Sequence, residues 1–100
     1  MFCVIYRWRI KPEMEEQFIE NWAEVTRFYI ENRGGLGSRL HRGEDGLFYA
    51  YAQWQSAEAR ENAFKNVPDL PARTKMREAV EESLPEIRLE SVEDLLQTPA

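Results

Sequence analysis

A hairpin signal in the middle of the chain is the sequence feature that most restricts the fold. Two runs with strand-like alternation, residues 34–42 and 47–54, flank a polar turn at residues 43–46 that begins and ends with glycine. Alternating runs joined by a short glycine-containing turn predict an antiparallel β-hairpin. We therefore expect a small antiparallel sheet that contains this hairpin, with the rest of the chain packed against it.

The segment before the hairpin predicts a strand with two unlike faces. One face holds Phe2, Val4, Tyr6, Trp8 and Ile10, and the other holds Cys3, Ile5, Arg7 and Arg9. The first set has the alternation of a strand with one buried face. Because Cys3 and Ile5 are unusual for a face in bulk water, we expect a partner subunit to cover part of the second face.

A long amphipathic helix is predicted to follow this strand. Pro12 and the glutamates after it suit a first helical turn, and the helix is expected to run to about Asn32. Its apolar residues recur every three or four positions, as one face of a helix requires. They are Met14, Phe18, Trp22, Val25 and Tyr29. Gly34 or Gly35 is expected to cap its C-terminus in the left-handed conformation.

Two further helical stretches are predicted after the hairpin. Ser56 stands where an N-cap would begin a short helix. A second stretch is expected from Pro71 or Ala72 to Ser83, and Pro85 is predicted to break it.

The last apolar residues predict a final strand at a sheet edge. They are Ile87, Leu89, Val92, Leu95 and Leu96. The alternation slips between Leu89 and Val92, which predicts a bulge there, in a strand that is an edge or is exchanged with another subunit. The complete order is strand, helix, strand, strand, helix, strand. This is the α+β, ferredoxin-like split β-α-β fold with an antiparallel sheet, expected as a single domain over residues 1–100.

Size and charge limit the partners that we expect. A chain of 100 residues has a thin core, which favours self-association. Its net charge of −5 argues against nucleic acid or an anionic membrane surface as a partner. The single cysteine excludes an internal disulfide, and we find no signal peptide or membrane span in the sequence. We therefore expect a cytoplasmic protein.

No metal or phosphate site is predicted. The only histidine and the only cysteine are far apart in sequence, and the acidic residues fall mostly on helix surfaces. The glycines at residues 34–37 follow a helix and precede a strand, which is the reverse of the order in phosphate-binding loops. We interpret them as turn residues, and Cys3 as an unreactive thiol.

An excess of aromatic residues is the main functional signal. One interpretation is that these rings simply fill the core, where bulky rings are common. The other is a pocket for a flat, partly polar organic molecule, because buried tyrosine and tryptophan need partners for their O–H and N–H groups. The candidate ligand-binding residues are Tyr6, Trp8, Phe18, Trp22, Tyr51 and Trp54.

His41 is the only histidine and the first candidate for a catalytic base. It shares a strand face with Arg39, opposite Leu40, so it is expected to point away from the core. A histidine at the surface or at a subunit boundary is the simpler interpretation. Since its reference pKa is about 6.5, it is also suited to accept the proton of a phenol.

Several segments, taken in order, resemble the antibiotic biosynthesis monooxygenase (ABM) domain. They are residues 4–13, Phe18 and Trp22 of the first helix, residues 35–38, and residues 52–56 with Ala59 and Phe64. The likeness extends over nearly the whole chain. It implies a homodimeric α/β barrel, in which two ferredoxin-like subunits pack sheet to sheet.

The resemblance also limits the chemistry. The family includes small oxygenases that oxidise aromatic polyketides or quinols with dioxygen and without metal or flavin, haem-degrading enzymes, and many domains of no established activity. The haem-degrading branch uses an asparagine, a tryptophan and a histidine where this chain has Trp8, Ala63 and, approximately, Arg73. Haem degradation is therefore not implied, and no cofactor is expected.

We therefore expect a cofactor-independent monooxygenase that acts on a hydroxylated aromatic compound or quinol. Such a reaction needs a snug apolar cavity and a hydrogen-bond donor for a phenolate. Arg39 or Arg7 is the candidate to hold the phenolate, and His41 the candidate to take its proton. The alternative is a non-catalytic dimeric domain that binds a small aromatic ligand.

Overall fold

The computed structural model describes residues 1–97 and builds them into four strands and three α-helices. The sheet order is β2-β3-β1-β4, and every neighbouring pair is antiparallel. This confirms the ferredoxin-like split β-α-β fold. The elements are β1 (Phe2–Ile10), a 3₁₀ turn (Pro12–Met14), α1 (Glu15–Asn32), β2 (Gly37–Arg42), β3 (Phe48–Trp54), α2 (Ala57–Ala63), α3 (Pro71–Glu78) and β4 (Val80–Glu90).

The residues predicted to cap the helices do so in the structure. Gly34 has a φ of +75°, and the N–H groups of Arg33 and Gly35 both donate to the carbonyl of Tyr29 at 3.0 Å, closing the end of α1. The side chain of Ser56 accepts a hydrogen bond from the backbone N–H of Ala59 at 3.0 Å, as an N-cap should. These contacts confirm the predicted end of α1 and the predicted start of α2.

The junction between α3 and β4 differs from the prediction. α3 ends at Glu78 and β4 begins at Val80, so residues 80–83 are strand and not helix. Pro85 lies inside β4 instead of breaking a helix. A proline is tolerated there because β4 is an edge strand and pairs only with β1 on one side.

The predicted bulge and the predicted end of the last strand are also wrong. Register shifts occur where β4 faces the Ile5–Arg7 and Arg9–Ile10 steps of β1, and not after Leu89. The guanidinium of Arg7 donates to the carbonyl of Pro85 at 2.8 Å next to one of these shifts. β4 ends at Glu90. The apolar residues beyond it, Val92, Leu95 and Leu96, lie outside the strand and are at least 75% exposed.

The three helices cover one face of the sheet, and the core beneath them has two halves. One half surrounds Val4, Tyr29 and Trp54, and the other surrounds Phe18 and Phe48. The middle of β3 carries only alanine on this face, at Ala50 and Ala52, between Phe48 and Trp54 at its ends. Because two methyl groups cannot fill the space that large rings fill, a gap remains between the two halves over β3, while on β1 the rings of Tyr6 and Trp8 stack between them with centroids 5.8 Å apart.

The other face of the sheet carries no element of residues 1–97, and we call it the open face. Strand pairing places Ile5, Tyr51, Ile87 and Leu89 there, together with Arg39 and His41 on β2. Ile87 and Leu89 are each 40% exposed. Among the helices of the described chain, none has the length and apolar character needed to cross a membrane.

Candidate functional site

A cavity of about 410 Å³ lies between α1 and the sheet, at the gap between the two halves of the core. This volume is within the range of small-molecule sites. Ala52 lies in its wall, and α2 and α3 contribute side chains to it. All three tryptophans of the chain line it, together with two tyrosines: Trp8, Trp22, Trp54, Tyr6 and Tyr29.

Three buried polar atoms in this wall have no hydrogen-bond partner among the described residues. They are the Tyr29 hydroxyl, the Ser38 hydroxyl and the Trp54 indole nitrogen. Tyr29 is 8% exposed and Trp54 is 4% exposed. A buried polar group left unpaired costs about 1–3 kcal/mol, so the wall as it stands is poorly satisfied by protein alone. All three atoms have almost no accessible surface, so they lie within the wall and not at its surface.

A buried arginine supplies a second kind of polar group. Arg60 is only 8% exposed, and its Nη2 donates to the hydroxyl of Tyr6 at 2.9 Å and to a carboxylate oxygen of Glu86 at 2.9 Å. Its guanidinium also lies 4.9 Å from the ring centroid of Phe64. Glu86 accepts a further hydrogen bond from Arg88 at 2.9 Å. The charge of Arg60 is therefore paired and hydrogen-bonded, as a buried charge must be.

These contacts decide the protonation of Tyr6 and Glu86. Burial raises the pKa of the Tyr6 hydroxyl and outweighs the hydrogen bond from Arg60, which lowers it. Burial alone would raise the pKa of Glu86, but the hydrogen bonds from Arg60 and Arg88 lower it further than burial raises it. Near neutral pH, Tyr6 is therefore protonated and Glu86 is ionised.

The protonated Tyr6 is a hydrogen-bond donor for the cavity. Its oxygen accepts from both Nε and Nη2 of Arg60, at 3.3 and 2.9 Å. Within residues 1–97, its own hydrogen has no protein acceptor. Since Tyr6 lines the cavity, that hydrogen is available to an oxygen atom of a ligand. A hydrogen bond accepted from a cation also polarises the O–H group of Tyr6 and makes it a better donor.

Comparison with known proteins identifies the family. The family model described as antibiotic biosynthesis monooxygenase matches residues 1–82. The chain belongs to the antibiotic biosynthesis monooxygenase (ABM) family. This confirms the resemblance found in the sequence.

Solved structures share the fold of this ABM domain at low sequence identity. SnoaB, a cofactor-independent oxygenase from Streptomyces nogalater, superposes with a TM-score of 0.78 at 18% identity, covering 96% of this chain and 97% of that one. Rv0793 from Mycobacterium tuberculosis superposes with a TM-score of 0.74 at 14% identity, covering 95% of this chain and 98% of that one. A search of curated protein sequences found no significant match.

Four of the six predicted ligand-binding residues of the ABM domain line the cavity, namely Tyr6, Trp8, Trp22 and Trp54. Phe18 is fully buried beneath them, with its ring centroid 5.1 Å from that of Trp8 and 5.7 Å from that of Phe48. Tyr51 lies on the open face, where its hydroxyl is 3.0 Å from Sγ of Cys3. The structure therefore brings four of these side chains together in the cavity wall, places Phe18 in contact beneath them and separates Tyr51 from them.

The two predicted catalytic residues lie away from this cavity. Arg39 and His41 pair with Tyr51 and Tyr49 across β2 and β3, which places them on the open face, and both are exposed. They border a second depression of about 400 Å³ beside β2, whose wall also includes Trp22. Of the residues in that second wall, Trp22 and Ser38 also line the aromatic cavity.

Several residues of the cavity were not predicted as functional. Arg60 has a sequence signal, because it lies three and four residues before the inward-facing Ala63 and Phe64 and so shares their helix face. A charged residue on such a face needs a partner or a ligand. Ser38 shares a strand face with Leu40, and Tyr29 belongs to the apolar stripe of α1, so the sequence gives no sign that their hydroxyls are unpaired.

The charged groups in the cavity do not form a metal site. Within the part of the chain that the structure describes, no three histidine, cysteine, aspartate or glutamate side chains lie close enough together to hold a metal ion.

Proposed function

We propose that this ABM domain is a cofactor-independent monooxygenase that oxidises a hydroxylated aromatic compound or a quinol in the aromatic cavity. The observation that carries the proposal is the hydroxyl of Tyr6, whose hydrogen has no acceptor within residues 1–97, in a cavity wall that contains six aromatic rings. A flat aromatic molecule would pack against the rings, and one of its hydroxyl or carbonyl oxygens would accept a hydrogen bond from Tyr6.

The reaction balances without a separate reductant. In an anthrone, for example, a ring CH₂ group becomes a carbonyl group. One atom of dioxygen forms the new C=O bond, the O–O bond breaks, and the other atom leaves as water with the two hydrogens of the CH₂ group. The four electrons that reduce dioxygen all come from the substrate.

The side chains around the cavity have distinct roles in this proposal. Tyr6 donates its hydrogen bond to the substrate oxygen on which negative charge develops, and Arg60 and Glu86 hold Tyr6 in place. A fixed donor in a site that excludes water stabilises such charge far better than water does. Trp8 and Trp22 keep solvent away from the reacting ring. Arg39 and His41 have no part in the proposal because they do not line the cavity.

We also propose that two copies pair through the open face. Ile5, Tyr51, Ile87 and Leu89 form an apolar area there that no helix of residues 1–97 covers. Burying apolar surface against a second copy would stabilise both subunits, at about 25 cal/mol per Å². The resemblance to dimeric α/β barrels supports the same pairing.

The function is tested by measuring oxygen uptake with a panel of anthrones and quinols, with labelled dioxygen to follow one atom into the product. For an active compound, Tyr6→Phe should lower kcat/KM by about tenfold or more, because a donor to developing charge is lost. Tyr49→Phe is the matched control, since Tyr49 lies on the opposite side of the sheet and bonds to Asp45. It should behave like the wild type.

The alternative function predicts a different result in the same experiment. Uptake no faster than buffer for every compound, together with tight binding of a non-oxidisable quinone, would identify a ligand-binding domain without catalysis. Equal losses in the Tyr6 and Tyr49 variants would remove Tyr6 from the mechanism.

A further inference from the structure

Arg73 is a positive charge in the cavity wall that the protein does not neutralise. Of the three charged residues that line the cavity, Arg60 and Glu86 form an ion pair with an N···O distance of 2.9 Å. The second ion pair of Glu86 is with Arg88, not with Arg73. Within residues 1–97, the side chain of Arg73 makes no ion pair and no hydrogen bond. The wall therefore has one positive charge in excess.

The stability of α3 does not explain this charge. Arg73 lies in the first turn of α3, the end at which the helix dipole is positive and a cation is unfavourable. That turn contains no acidic residue, and the side chain of Leu70 at the N-cap cannot cap the helix. An arginine here therefore costs helix stability, and local rules are most often broken where a residue has a functional role.

The position of Arg73 suits an anionic ligand. Its side chain is partly buried, so its charge is less screened by solvent than that of an exposed arginine. The hydroxyl of Tyr6, whose hydrogen has no acceptor within residues 1–97, is a second polar group in the wall of the same cavity. A carboxylate is the group that best matches the two parallel N–H donors of a guanidinium.

We propose that the substrate of this ABM domain is a hydroxylated aromatic compound that carries a carboxylate, and that Arg73 binds this carboxylate. The inference rests on the proposed function in one respect, namely that the aromatic cavity is the substrate site. Arg73 is then a residue that determines specificity, distinct from Tyr6, which contacts the oxygen of the reacting ring. The net charge of −5 repels anions at long range, so the preference must come from this side chain.

The test is a binding measurement with two quinones that the enzyme cannot oxidise. Rhein and aloe-emodin share a dihydroxyanthraquinone ring system, and rhein carries a carboxylate where aloe-emodin carries a hydroxymethyl group. All three tryptophans of the chain line the cavity, so quenching of tryptophan fluorescence reports binding. At about pH 6 the carboxylate is ionised and the phenols are protonated.

The wild type should bind rhein about tenfold more tightly than aloe-emodin, the ratio expected for one charged hydrogen-bonded contact. Arg73→Gln should reduce this ratio to about one. Arg77→Gln is the matched control, because Arg77 is on the same helix but is exposed and does not line the cavity. It should retain the preference. In the wild type, added salt should weaken the preference, which tests the charge without any substitution.

Each other outcome overturns a defined part of the argument. If the wild type binds both quinones equally, or if Arg73→Gln keeps the preference, Arg73 does not recognise a carboxylate, while the cavity remains an aromatic site. If neither quinone quenches the tryptophans, the cavity is not the site of such molecules, and both the inference and the proposed function fail.

Discussion

Glu86 connects the chemistry of the cavity to the stability of the fold. Its pKa in the folded protein lies below the ordinary value of 4.5, because hydrogen bonds from Arg60 and Arg88 outweigh the effect of burial. At a pH near its ordinary pKa, a carboxyl group whose pKa is lowered by folding binds fewer protons in the folded state than in the unfolded state. Its stabilisation is therefore complete above about pH 4.5 and is lost as the pH falls through the folded value.

We predict that Glu86→Gln lowers Tm by about 5 °C near neutral pH, since Arg60 loses a charged partner. The Tm of this variant should also fall less than that of the wild type when the pH is lowered from about 5 to about 3. Thermal unfolding followed by circular dichroism measures both effects. Glu90→Gln, an exposed change on the same strand, should follow the wild-type pH profile. Parallel profiles for Glu86→Gln and the wild type would contradict the assignment.

At the scale of elements, β3 explains why the cavity exists, and its pattern is visible in the sequence. The large rings of Phe48 and Trp54 each pack in one half of the core. Ala50 and Ala52 lie between them and leave space above the middle of the strand. Ala52→Leu should place a larger side chain in the existing space. We predict that it weakens binding of aloe-emodin by about tenfold or more and leaves Tm within a few degrees of the wild type, because the added methyl groups enter a cavity and not a packed core.

Fluorescence titration and thermal unfolding test this pair of effects together. Ala57→Leu adds the same side chain at an exposed position at the start of α2, and it should leave binding unchanged. Wild-type affinity in Ala52→Leu would show that the ligand does not use the space over β3. A large fall in the Tm of Ala52→Leu with unchanged binding would also show that the ligand does not use this space.

Helices and strands with a regular spacing of apolar residues could be predicted from the sequence. Segments whose structure depends on pairing with another strand could not. β1, α1 and the hairpin each carry a regular apolar pattern and their own turn or cap residues. Residues 80–83 have a composition suited to a helix, but pairing with β1 draws them into β4. Pro85 is read equally well as a helix breaker or as an edge-strand residue, and only the sheet order distinguishes these two cases.

The candidate site divides in the same way. The sequence alone could identify four cavity residues, Tyr6, Trp8, Trp22 and Trp54. An excess of aromatic residues is easy to recognise, and the spacing of apolar residues shows which face of a strand or helix each one occupies. Tyr29 and Ser38 are notable because their buried hydroxyls have no hydrogen-bond partner among the described residues. Unpaired atoms are a property of three-dimensional packing, so residue type and spacing do not reveal them. His41 was favoured for its chemistry, although its position in the strand alternation already predicted that it points away from the core, and the pairing of β2 with β3 agrees with that orientation.

At the scale of the whole molecule, the open face is the feature that one subunit leaves incomplete. A chain of 100 residues buries a smaller fraction of its surface than larger domains do, so further apolar burial contributes appreciably to its stability. The helices are all on the other side of the sheet. No helix of residues 1–97 therefore covers Ile5, Tyr51, Ile87 and Leu89, and a second copy offers a surface of the same kind.

We predict a dimer at micromolar concentration, and we predict that Ile87→Lys converts it to a monomer with a lower Tm. In a symmetric interface each substitution acts twice, so two lysines would be buried without partners, at a cost of several kcal/mol. Sedimentation velocity gives the mass of each species. Ile19→Lys is a matched control, because Ile19 on α1 is also 40% exposed but lies on the helical side, and this variant should remain a dimer. A monomeric wild type, or dimers of equal strength in both variants, would exclude pairing through the open face.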